Sequence, residues 1–70
     1  MPAVRNSVKA SDVGRRVSFQ YELPNGYASE VVGVLDAFDE QANTYLVRRR
    51  DGSVVRVPAP GVRFGKVIPG

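Results

Sequence analysis

Val17, Phe19, Tyr21 and Leu23 stand at every second position of the segment Gly14–Leu23, and Ser18, Gln20 and Glu22 fill the positions between. A period of two lets a chain bury one face only as a β-strand. Leu23-Pro24-Asn25-Gly26 follows. Pro24 fixes φ and Asn25-Gly26 tolerates positive φ, so the strand ends in a tight turn. Residues 27–38 form a second β-rich run with Gly33 in its interior, a mark of a bulge or sharp bend. A polar turn at 39–43 leads to residues 44–50 and 53–58, which flank Asp51-Gly52, a hairpin signal. Pro58-Ala59-Pro60-Gly61 breaks the chain, and residues 62–69 make a last short strand.

Five strands in so little chain, with turn signals at regular spacing, predict an all-β domain, a small five-stranded SH3-like barrel over residues 12–70. Curling the sheet on itself hides edges that a small β domain would otherwise expose. Gly33 would let the second strand bend around both halves. Residues 1–11 lack a pattern and read as a flexible N-terminal arm with at most one short helical turn. The alternation places Val17, Phe19, Leu35, Val55 and Val57 in the core. For the second hairpin, a two-residue loop would set Leu46 against Val57 and Arg48 against Val55. A three-residue loop closed by a bulge at Gly52 sets Tyr45 against Val57 and Val47 against Val55. The latter groups apolar side chains with apolar ones and is the expected register.

Composition narrows the function. Seventy residues form one domain too small to wall a deep pocket. The absence of His removes the usual general base and the usual metal ligand, and the absence of Cys removes disulfides and thiolate metal sites. No enzyme, no catalytic residue, no cofactor and no metal are therefore expected. Asp36, Asp39 and Glu40 surround a turn without a second acidic cluster and make no coordination cage. The chain has no apolar run of membrane-spanning length and opens without a signal-peptide pattern, which reads as soluble, cytoplasmic and not membrane-bound.

Charge is unevenly spread. Residues 1–29 carry a net +2, residues 30–45 a net −4 and residues 46–70 a net +5. A basic C-terminal half suits an acidic partner or serves solubility. Arg48-Arg49-Arg50 beside Asp51-Gly52 is its densest part. Alternation along a strand puts Arg48 and Arg50 on one face and Arg49 on the other, so the triplet alone is not a flat patch. The expected register adds Arg56 to the face of Arg48, a pair able to grip phosphate or carboxylate in a bidentate manner. The alternative is a solvated hairpin tip. Among the aromatics, Tyr27 in the first turn is the best exposed candidate for stacking on a base or, with Pro24, for lining a small peptide groove.

Two resemblances follow. Gly14-Arg15-Arg16-Val17, Leu23-Pro24, Val31-Val32-Gly33, Arg48-Arg49-Arg50-Asp51-Gly52 and Gly65-Lys66, in that order, resemble the SH3-like domain at the N-terminus of actinobacterial GNAT-type acetyltransferases, the putative histone acetyltransferases. That resemblance implies a non-catalytic interaction module that tethers or positions a macromolecule. Its first candidate is an acetyltransferase domain, in cis or in trans. It carries no catalytic residue over, because the acetyl-CoA site of that family lies in a separate domain. Separately, Gly33, Leu35, Phe38, Asp39, Asn43 and Leu46 are similar to the first motif of RNA-binding Sm-like proteins. This implies that Asp39 and Asn43 help hold a base, with subunits assembled in rings. The second Sm motif needs an Arg-Gly, and the corresponding segment, Arg56–Val62, has none. A monomer that binds a protein is expected ahead of a ring that binds nucleic acid.

Overall fold

The computed structural model describes residues 5–69 and contains every strand that the alternation predicts. β1 (Arg5–Asn6), β2 (Arg16–Glu22), β3 (Ala28–Asp39), β4 (Thr44–Arg48), β5 (Val54–Pro58) and β6 (Val62–Val67) form one sheet in the order β1-β6-β2-β3-β4-β5. The five strands β2 to β6 pair antiparallel. The two-residue β1 adds to β6 in parallel. Single turns of 3-10 helix at Ala10–Asp12 and Ala59–Gly61 are the only helical elements among the described residues. The fold is all-β and barrel-like, with a sheet that curls around one core without closing.

The inward positions of β2 to β5 make that core. Val17, Phe19, Leu35, Val47 and Val57 are fully buried, joined by Tyr21, Val31, Tyr45, Val62 and Val8. Each side chain of this size taken out of water contributes about 1.5–3 kcal/mol. The rings of Phe19 and Phe38 lie 4.7 and 4.9 Å from that of Tyr45, both tilted, an arrangement that suits the charge distribution of aromatic faces and edges. Val55 is only half-buried, a correction to the expected core. It lies on β5, the last strand of the sheet order, where nothing pairs beyond it to cover its outer side.

The stretch read as an arm is, in its described part, fastened to the sheet. The Ser7 amide donates to the Gly65 carbonyl at 2.8 Å, and Val8 is buried. Asn6 Oδ1 accepts from the Val8 amide, and Asn6 Nδ2 donates to the Tyr45 hydroxyl, both at 3.0 Å. The Tyr45 hydroxyl in turn donates to the Val8 carbonyl at 3.1 Å. Gly65 makes room for this clasp, since a Cβ there would overlap Asn6 Oδ1 and crowd the Phe19 ring.

Gly33 is a point of close approach and not the bulge. The β3–β4 register shifts between Leu35 and Ala37, so the bulged residue is Asp36. At Gly33 itself, a Cβ would overlap the Arg48 carbonyl oxygen and stand 3.1 Å from Val47 Cγ1. The end of β4 passes directly over this bare backbone, which is how β3 serves both halves of the sheet.

Two outcomes are expected from chemical unfolding. Gly33→Val should lose well over ~1 kcal/mol, because backbone must move to admit the side chain. A midpoint equal to wild type would rule out the close approach. Tyr45→Phe should cost about 1–3 kcal/mol, since it strips the buried Val8 carbonyl of its donor.

Candidate functional site

β4 ends at Arg48 and the chain turns at once. The Arg49 amide donates to the Ser53 carbonyl at 2.7 Å, the Gly52 amide donates to the Arg49 carbonyl at 2.9 Å, and Gly52 has φ of 92°. This is the expected three-residue loop closed by a glycine bulge. It sets Tyr45 against Val57 and Val47 against Val55. Asp51 stabilises the tip. Its Oδ1 accepts from the Ser53 hydroxyl at 2.7 Å and from the Ser53 amide at 2.9 Å.

All three arginines border one groove of about 380 Å³. The groove has a fourth arginine, Arg16, and a floor of Val32, Gly33 and Val34. Pairing explains the arrangement. Arg16 on β2 opposes Val34 on β3, and Val34 opposes Arg48 on β4, so the row Arg16–Val34–Arg48 crosses the outer face of the sheet. Strands about 4.8 Å apart place the Cα atoms of Arg16 and Arg48 roughly 10 Å from each other. Arg16 belonged to a recognised segment of the sequence, but nothing in the local pattern connected it with residues thirty-two positions later.

One carboxylate opposes this positive charge directly. Arg48 Nη2 donates to Asp36 Oδ2 at 2.8 Å, with both side chains substantially solvated. Exposed pairs of this kind contribute little to stability, about 0–1 kcal/mol. The pair fixes one side of the Arg48 guanidinium and leaves its other donors free for a ligand.

The remaining sequence candidates lie elsewhere. Arg56 opposes Leu46 while Arg48 opposes Val54, so the two arginines share the outer face diagonally, but Arg56 does not line the groove. Tyr27 is 72% exposed in the β2–β3 turn, seven residues along the chain from Val34, or about 23 Å of strand. Asp39 and Asn43 shape the β3–β4 turn. Asp39 Oδ1 accepts from the amides of Gln41 and Ala42 at 3.1 and 3.2 Å. Asn43 takes the left-handed conformation with φ of 51°, and its carbonyl accepts from Ala59 at 2.9 Å. They stand at the opposite end of β4 from the arginines.

Residues 11–64 match the family model of the Rv0428c N-terminal Sm-like domain. The chain belongs to that family. No curated protein and no solved structure matches it. Membership in the Rv0428c N-terminal Sm-like domain family carries the Sm-like resemblance over most of the chain and leaves the acetyltransferase association outside the match. Within this Sm-like domain, the basic groove and the Asp39–Asn43 turn are separate places.

The tip supplies a pH test. The Ser53 hydroxyl, then the Ser53 amide and the Arg49 charge, hold the Asp51 carboxyl below its ordinary value. A carboxyl lowered by folding favours the folded tip above its unfolded pKa and loses that contribution as pH falls through the folded pKa. An NMR titration should give Asp51 a midpoint below that of free aspartate, and Ser53→Ala should raise it. An unchanged midpoint in the variant would show that Ser53 is not the cause.

Proposed function

We propose that this domain is a non-catalytic interaction module whose arginine groove holds an acidic macromolecular partner. The observation that carries the reading is the convergence of Arg16, Arg48, Arg49 and Arg50 on one groove across paired strands. Planar guanidinium groups at the rim of a shallow groove suit bidentate contact with carboxylates or phosphates. The module would tether or position its partner. The resemblance to the domain that accompanies GNAT acetyltransferases makes such an acetyltransferase domain the first partner to test, in cis or in trans.

A second reading is single-stranded nucleic acid, favoured by membership in an Sm-like family and by the net charge of +3. Against it stands the groove's lining. Sites for single strands interleave cations with aromatic side chains on which bases stack. No aromatic residue lines this groove, and the exposed Tyr27 lies far along β3 from it.

The experiment is a titration of wild type and of Arg16→Gln/Arg48→Gln against a single-stranded RNA and a candidate acetyltransferase domain, at two salt concentrations. The module reading expects protein binding of modest salt dependence that weakens about tenfold or more in the double variant. RNA binding that falls steeply with salt would establish the nucleic-acid reading instead. Unchanged binding of both partners in the double variant would make the arginines a solvated hairpin tip.

A further inference from the structure

Resting on the reading of the arginine groove as a docking site, the structure also bears on what kind of acidic partner fits. Of the large apolar side chains left exposed, Val32, Val34, Val54 and Phe64 all lie on the outer face, at 50%, 39%, 46% and 53% exposure. Single exposed valines are ordinary on strands. Here, though, Val32 and Val34 are neighbours on the same face of β3 and form a strip whose Val34 end is flanked by Arg16 on one side and Arg48 on the other. The row beside it runs Lys66–Ser18–Val32, so a further cation closes that side. A purely ionic ligand would leave these valines wet. A nucleic acid would find no ring to stack on in the groove.

We propose that the groove takes an extended acidic protein segment in which carboxylates and aliphatic side chains alternate at every second residue, so that both kinds share one face. In an extended chain, every second residue faces the same way, about 6.7 Å apart. An acidic, an aliphatic and an acidic residue on one face therefore span about 13 Å, within reach of two arginine side chains whose Cα atoms stand roughly 10 Å apart. The carboxylates engage Arg16 and Arg48 while the central aliphatic side chain covers Val32 and Val34. Arg49 and Arg50 border the hairpin end of the same groove and extend its positive field to a further acidic residue.

The test uses the full chain and three labelled probes, namely the decapeptide Glu-Ser-Val-Ser-Glu-Ser-Val-Ser-Glu-Ser, the same peptide with serine in place of both valines, and a ten-nucleotide uridine strand. Fluorescence anisotropy should find the valine peptide bound about tenfold more tightly than its serine counterpart of equal charge, the gain expected from covering a few tens of Å² of apolar surface. Val32→Thr/Val34→Thr keeps β-branching and shape while adding hydroxyls, so its melting curve should follow that of wild type. This variant should erase the preference for the valine peptide and leave binding of the serine peptide as it was. Arg16→Gln/Arg48→Gln should weaken both peptides. Equal affinity for the two peptides, or a threonine variant that keeps the preference, would overturn the inference while the arginine reading stands. Tighter binding of the uridine strand than of either peptide would also overturn it, in favour of nucleic acid. Failure of all three probes to bind would remove the arginine reading as well.

Discussion

The rest of this structure depends on one steric fact, the passage of the Arg48 backbone over Gly33. β3 has to pair with β2 along its first half and with β4 along its second. A small sheet can bury a core only by curling, and curling brings the ends of its strands across one another. At that crossing there is no space for a Cβ. Glycine lets the two backbones meet, and the bulge at Asp36 takes up the resulting change of register. Phe19, Leu35, Val47 and Val57 can then share one interior without solvent contact.

The same contact positions the groove. Bringing the end of β4 against β3 sets Arg48 and the hairpin tip beside Val32 and Val34, and β2 supplies Arg16 from the other side. Fold and candidate site therefore have a common origin. Arg48 is the last residue of a strand and pairs with Asp36, and the backbone of Arg49 is bonded to Ser53 and Gly52. Ordering of the backbone at these positions lowers the entropy lost when a ligand is gripped.

Much of the fold was legible in particular residues. The alternation from Val17 to Leu23 predicted β2 and its buried face. Asp51-Gly52, weighed by which register grouped apolar side chains, gave the three-residue loop that the structure has. Asp39 and Asn43 read as turn residues as readily as base-binding ones, and in the structure they bond the turn. Other features left no local trace. The Tyr45 clasp links residues 37 to 39 positions apart along the chain, and the parallel pairing of Arg5–Asn6 links residues 59 apart. Val8 sits in a polar, unpatterned stretch, where periodicity carries no information.

The sequence by itself determined the all-β class, the five main strands and their turns, because these follow from alternation and turn chemistry over short spans, whereas the need for a glycine at position 33 comes from the approach of the Arg48 backbone fifteen residues later. Only the tertiary structure decided which charges meet. Strand pairing joins Arg16 to Arg48 through Val34, and the hairpin turn after β4 brings Arg49 and Arg50 to the border of the same groove. The physical reason is range. Local rules act over a few residues, whereas the groove is assembled by cross-strand contacts whose register is set by the curling of the whole sheet around its core.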